Sequence, residues 1–320
     1  MMKKNRYYTF KNPICLQGDI SKKNYFEGWY YKLVNSDNDY TCAFIPGIST
    51  GGSRYKRHAF IQFVDNSGQL PLYKPYAIRS FSYSDKPFSI RIGGCQFSDR
   101  GMSINMHHKK DTITGALTFG FFTDIVRTSK MPTIMGYYRY IPFMECFHSI
   151  ISLHHTLKGY LKVNNRYIDF TGGTGYLEKD FGTSFPNQWV WIHANTYHNQ
   201  QASLMCSIAS IPFLKKTFLG FLCVLYIDNK EYRFTTYLKG KIAKLSCSKN
   251  KVFVEIHQDH LILQIRSMCD DGNVLIAPKN GDMNRKIVES MSSKIKVTLI
   301  KGGKILYEAI SYNGCMEFNT

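Results

Sequence analysis

Short runs of aromatic and β-branched residues, each closed by a cluster of small polar ones, are the pattern that most restricts this chain's fold. "GWYYKLV" (28–34), "YTCAFIPG" (40–47), "HAFIQFVD" (58–65) and "MSINMHH" (102–108) are such runs, and "NSDND", "STGGSR" and "NSG" are the punctuation. The second half repeats the texture in "QWVWIHANTY", "ASLMCSIASI", "GFLCVLYID", "EYRFTTYLKG", "KVFVEIHQD", "HLILQIRSM" and "KIKVTLIKGG". Broad and branched side chains pack well on a pleated surface, whereas small polar residues make turns. Connections as brief as "DNK" (228–230) suit hairpins. Long stretches of helical periodicity are nearly absent. The expectation is an all-β, mostly antiparallel protein, with strands too numerous for one open sheet and therefore closed into barrels or sandwiches.

At 320 residues the chain fits one large or two medium domains. A texture break at "FTGGTG" (170–175) predicts the boundary, giving domains 1–172 and 173–320. Hydrophobic residues at 44% and charged residues at 20% exclude global disorder.

The formal charge of +18 creates a field that draws phosphate-rich partners. Zinc-finger spacing and an RNA-binding aromatic signature are both missing, so a basic solvated surface is expected rather than a nucleic-acid partner. Nine cysteines without a C-x-x-C pair suggest reduced, buried thiols in a cytoplasmic protein. The start "MMKKNRYYTFKNPIC" has no apolar core of a signal peptide. No apolar run reaches the ~18–20 residues of a membrane-spanning helix. Lys215-Lys216, between two apolar strands, offers peripheral contact with anionic headgroups; buried strands are the simpler account.

One stretch concentrates chemistry: "GYLEKDFGTSFPNQWVWIHAN" (175–195). Alternation places Tyr176, Glu178 and Asp180 on one strand face, and Trp189, Trp191, His193 and Asn195 on one face of the next. A barrel built this way would line its interior with carboxylate, indole and amide groups. Two desolvated carboxylates cannot both ionise cheaply, so one is expected to keep its proton. A protonated acid beside aromatic faces can protonate an alkene and stabilise the cation that forms. The plain alternative pairs either acid with Lys179 or another base and makes the tryptophans simple core.

Other groups compete for roles. Glu27 and Trp29 share a face of the first strand, where Glu27 suits a pocket or a salt bridge equally. His58 and Gln62 share a face in "HAFIQF". Glu145 and His148 in "PFMECFH" are spaced to meet across one turn, as an acid–base pair or as mutual partners under a loop. The Met- and Tyr-rich segment 128–148 reads as a long connection, and as a lid for greasy ligands. His107-His108 and His154-His155 point to opposite strand faces; no metal site or nucleotide cofactor is expected.

Taken together, "YFEGWYYKLV" (25–34), "HAFIQF" (58–63), "MGYYRYIPFMECFHSIISLHHTLKG" (135–159) and "GYLEKDFGTSFPNQWVWIHAN" resemble the tocopherol cyclase family. The blocks occur in the family's order over about residues 25–200. The resemblance implies two lipocalin-like (calycin) antiparallel β-barrel domains with few helices, an architecture shared with carotenoid hydratases. It implies a cofactor-free activity, acid-catalysed cyclisation of a prenylated phenol or quinol, or hydration of a related isoprenoid, in an apolar pocket. Asp180 or Glu178 is then the proton donor, and the partner is a hydrophobic small molecule. A lipocalin-like carrier that binds such a lipid unchanged is the alternative. Phe181-Gly182 stands where the family usually has Trp-Gly.

Overall fold

The computed structural model describes residues 6–68, 71–142, 144–197, 201–213, 216–269 and 272–319. A six-residue helix, α1 (Arg6–Lys11), precedes the strands. The first twelve are β1 (Phe26–Val34), β2 (Thr41–Ser49), β3 (His58–Asp65), β4 (Leu72–Ala77), β5 (Phe81–Asp85), β6 (Phe88–Ile92), β7 (Cys95–Ser98), β8 (Gly101–His108), β9 (Asp111–Phe119), β10 (Cys146–Val163), β11 (Arg166–Asp169) and β12 (Thr174–Gly182). They form one sheet in the order β4-β3-β2-β1-β12-β10-β9-β8-β7-β6-β5, with β11 alongside β10. The next ten are β13 (Trp189–Ala194), β14 (Ala202–Phe213), β15 (Lys216–Ile227), β16 (Lys230–Thr235), β17 (Lys241–Ser248), β18 (Lys251–Gln258), β19 (Leu261–Met268), β20 (Asn273–Lys279), β21 (Asp282–Lys301) and β22 (Lys304–Asn319). They form a second sheet, β16-β15-β14-β13-β22-β21-β19-β18-β17, with β20 beside β21. Neighbouring strands run antiparallel throughout the described pairs, such as β1 with β12 and β14 with β15. The all-β, calycin-like reading of the sequence holds.

The chain divides into two compact units, Met1–Phe185 with Leu275–Lys286, and Pro186–Val274 with Ile287–Thr320. Each has its own core. In the first, Trp29, Tyr31 and Leu33 of β1 meet Leu177 of β12 and residues such as Phe44, Phe63, Phe97 and Leu161. The second core gathers Val190, Ile192 and Ala194 of β13 with Leu204, Cys223, Val254, Ile265 and Val297. Burying apolar area on one face of each strand is what sets the register, because a one-residue slip would turn the whole set outward.

That register corrects one expectation. Val190, Ile192 and Ala194 belong to the core, so Trp189, Trp191, His193 and Asn195 take the opposite face of β13. On β12 it is Leu177 that joins the core, and Trp29 lies opposite Lys179 and Glu27 opposite Phe181 in register. Tyr176, Glu178 and Asp180 therefore occupy the face turned away from the barrel interior. Alternation grouped these residues correctly, but the apolar set claims the lumen because it gains most by leaving water. The acids lie on a strand of the first sheet and the tryptophans on a strand of the second.

Among the described residues no helix is long and apolar enough to cross a membrane. Leu214 and Lys215 lie outside the described residues, and with them half of the Lys215-Lys216 pair considered for membrane contact. Segment 128–148 packs down against the first unit, burying Thr133, Ile134, Met135 and Arg139.

Candidate functional site

β10 and β12 bring together the side chains that matter most. Their antiparallel register sets His148 opposite Asp180 and Ile150 opposite Glu178. Strand neighbours in register put their side chains on the same face, so an imidazole meets two carboxylates without any loop to position it. His148 Nδ1 lies 2.9 Å from Asp180 Oδ1, while Nε2 stands 3.4 Å from Glu178 Oε2, an ion-pair distance. Tyr176, two residues before Glu178 on the same face, donates its hydroxyl to Glu178 Oε2 at 2.5 Å. The main-chain N–H of His148 donates to Met135 Sδ at 3.2 Å, which ties segment 128–148 to the cluster.

The side chains of His148, Glu178 and Asp180 are 11%, 5% and 21% exposed, so the group is largely desolvated with Asp180 at its open side. Burial disfavours the imidazolium, but the charges of Glu178 and Asp180 and the hydrogen bond to Asp180 outweigh it. They lift His148 to about 9, so it is a cation at neutral pH. That cation lies between the two acids that the sequence grouped on one strand face. The buried Nε2 makes no hydrogen bond among the described residues. One N–H of the cluster is therefore held by no hydrogen bond, and it stands 3.4 Å from Glu178 Oε2.

His148, Glu178 and Asp180 are also the one group among the described residues whose ligand atoms, all within 4.8 Å of one another, could hold a metal ion. A cation would have to displace the imidazole proton and the contacts it makes to both acids. Glu145 does not join them. It is exposed, and its main-chain oxygen, rather than its carboxylate, accepts from Thr183 N at 2.8 Å and Ser184 N at 3.2 Å. The spacing of Glu145 and His148 suggested a pair; instead His148 finds its partners on β12, because a strand carries its acids past it in register.

The remaining residues fall elsewhere. Glu27 sits inside the first barrel, fully buried, accepting from Lys179 Nζ at 2.7 Å, Gln17 N at 2.9 Å and the Tyr25 hydroxyl. Trp29 donates its indole N–H to Ile14 O at 2.7 Å, and its ring lies 5.1 Å from Lys179 Nζ. His58 bridges Lys56 O at 2.7 Å and the Tyr73 hydroxyl at 2.5 Å. Gln62 pairs with the main chain of Ile276, donating at 3.0 Å and accepting at 2.8 Å, as a sheet neighbour would. On β13, Trp189 donates to Glu317, and Trp191 stacks on His193 with centroids 5.9 Å apart; Asn195 is buried on the same face. Sequence reasoning did not single out Glu317, which joins β13 only through pairing with a strand more than a hundred residues away. It did name Lys179, but as a partner for Glu178 or Asp180, whereas Lys179 pairs with Glu27; its place among Leu177 and Phe181 on the apolar face was the signal that its partner lay on that face.

A two-unit calycin-like β protein with a buried carboxylate–imidazole–carboxylate cluster is the class these observations define. The sequence profile described as "Tocopherol cyclase-like" matches residues 97–319, and the chain belongs to that family. The match extends well beyond residue 200, where the recognisable sequence blocks ended. The chain is 23% identical over 254 residues to "Probable tocopherol cyclase, chloroplastic" of Oryza sativa subsp. japonica, covering 72% of this chain and 52% of that protein. It is 24% identical over 225 residues to "Tocopherol cyclase, chloroplastic" of Zea mays, covering 67% and 46%. The chain thus spans about half the length of the curated relatives it matches. Its fold is similar to that of kievitone hydratase from Nectria haematococca, with a TM-score of 0.52 at 11% identity over 92% of this chain and 88% of that one.

Proposed function

We propose that this protein is a tocopherol cyclase-like enzyme that adds a proton to the alkene of an isoprenoid, closing a prenylated phenol or quinol to a ring or hydrating it. The observation that carries the reading is His148 held between Asp180 and Glu178. In this mechanism the proton held by His148 crosses the 2.9 Å contact to Asp180, and Asp180, on the open side, delivers it to the alkene. Glu178, fixed by Tyr176, keeps the imidazole charged before delivery. The tertiary cation that forms sits beside a cluster of net negative charge, which stabilises it where water is scarce. The phenol oxygen traps the cation and its proton returns to the cluster, so cyclisation consumes nothing; in hydration a water plays that part. The substrate is apolar, and the family resemblance supports this.

The test is incubation of the full chain with prenylated hydroquinones, followed by chromatography and mass spectrometry. Ring closure appears as a product of unchanged mass and new retention, hydration as the gain of one water. Asp180→Asn and Glu178→Gln should each lower turnover by roughly 10²–10⁴-fold, the usual worth of a positioned acid. Turnover undiminished in both variants would remove the cluster from the mechanism.

A further inference from the structure

Phe147 and Phe181 lie directly opposite each other on β10 and β12, one residue away from His148 and Asp180. Alternation sends them to the other face of the sheet, where their rings stack at 5.0 Å with planes 10° apart. There they form part of the wall of a cavity of about 250 Å³. Phe10 of α1, Arg139 and the exposed Pro142 also line it.

Arg139 gives this cavity its character. It is 8% exposed, and its guanidinium carbon lies 4.3 Å from the ring centroid of Phe10, 5.1 Å from Phe147 and 5.0 Å from Phe181. One guanidinium N–H donates to Gln17 Oε1 at 2.7 Å. Gln17 is in turn fixed, its amide nitrogen donating to Thr9 O at 3.1 Å, Asn12 O at 3.1 Å and Cys15 O at 2.9 Å. Its main-chain N–H donates to Glu27, the carboxylate already bonded to Lys179. Two buried cations, Arg139 and Lys179, are therefore tied into one network around one carboxylate, and the cavity opens beside the first of them.

We propose that this cavity binds a small aromatic carboxylate, with the carboxyl on Arg139 and the ring against Phe147, Phe181 and Phe10. A planar guanidinium matches a carboxylate with two parallel hydrogen bonds, and its charge acts strongly where the dielectric is low. Aromatic walls reward a flat ring and give a hydrated inorganic anion nothing in return. The volume is below the ~300–1,000 Å³ of drug-sized sites, which suits a single-ring acid. The site is distinct from the acid cluster, because the sheet itself separates the two faces.

Sodium benzoate is the probe. Titrated into the full-length wild-type chain and followed by calorimetry, with Phe and Arg side-chain resonances as a second readout, it should bind saturably at one site. Benzyl alcohol, which keeps the ring and removes the charge, should bind at least about tenfold more weakly, as should benzoate to Arg139→Gln. Arg139→Lys, with charge but no fork, should fall between. Equal binding of benzoate and benzyl alcohol to the wild-type protein would overturn the proposal without any variant having to fold. So would the absence of saturable benzoate binding, or unchanged benzoate affinity in a folded Arg139→Gln protein.

Discussion

His148 and Asp180 face each other across two antiparallel strands, with Nδ1 and Oδ1 2.9 Å apart, and their pairing makes stability depend on pH in a definite window. The folded protein holds the His148 proton up to about 9, against an ordinary 6.5, because two carboxylates outweigh burial. A raised value means the folded form binds the proton more tightly than the unfolded chain. The contribution, about 3 kcal/mol at most, is whole below about pH 6.5 and is lost as pH rises through 9. Urea unfolding measured from pH 6 to 9.5 should show wild-type stability falling relative to His148→Gln across that range. Lys179 works in the opposite sense above about pH 8, since burial lowers it from 10.5 to about 8 despite Glu27. It does so in both proteins, so the difference between them isolates His148. Parallel curves for the two would refute the assignment.

Glu145 and Gly182 meet through their backbones, and substitutions should expose the difference between a main-chain and a side-chain role. Gly182 has φ +149°, and a Cβ there would stand 2.1 Å from Glu145 O. Gly182→Ala must push β10 from β12 two residues beyond Asp180, costing about 2 kcal/mol or more and much of any activity. Glu145→Ala removes an exposed carboxylate and leaves the carbonyl, so stability should change by no more than about 0.5 kcal/mol. Thermal melts and turnover on both variants decide the matter. Equal damage from the two substitutions would restore the Glu145 side chain to a working role.

Trp189 and Glu317 make a second buried acid–donor contact, in the other unit. Trp189→Phe keeps most of the aromatic bulk but takes away the N–H that the carboxylate accepts. The loss should be about 1.5–3 kcal/mol, the worth of a hydrogen bond to a charged group. Trp189→Leu should cost more, because it also forfeits packing. Denaturant midpoints for the pair would show it; a Trp189→Phe protein as stable as wild type would mean that the indole N–H contributes nothing.

The strands and their faces were legible because period-two alternation in segments such as Tyr176–Phe181 is written locally. Tyr176, Glu178 and Asp180 could be grouped without knowing any partner strand. Which face looks inward was not legible, since that depends on Trp29 lying opposite Lys179 across a separation of 150 residues in the chain. The same limit hid His148. Its sequence neighbour Glu145 looked like its partner, whereas pairing of β10 with β12 delivered Asp180 and Glu178. Arg139 was unreadable for a different reason: its surroundings come from α1, β10 and β12 together, and no periodic signal announces a buried cation between phenyl rings. Glu27 was correctly marked as needing an explanation, but only the register showed that Lys179 supplies it.

Glu27 and Lys179 carry the last expectation. Both side chains are fully buried and their ion pair measures 2.7 Å. Removing both charges from water is expensive, and mutual attraction with further hydrogen bonds repays it only while the pair is intact. Lys179→Met should therefore cost about 3–5 kcal/mol, because buried Glu27 loses its cation and keeps, among the described residues, Tyr25, Gln17 and Gly18 as donors. Glu27→Gln strands the ammonium in the same way. The double variant, with neither charge, should be far less damaged than the sum of the two, since a neutral amide beside a thioether has no desolvation debt to settle. A double-mutant cycle in urea measures this directly, with an expected coupling of about 2 kcal/mol or more. Additive costs would mean that the two charges are stabilised independently, and that the barrel interior does not depend on their meeting.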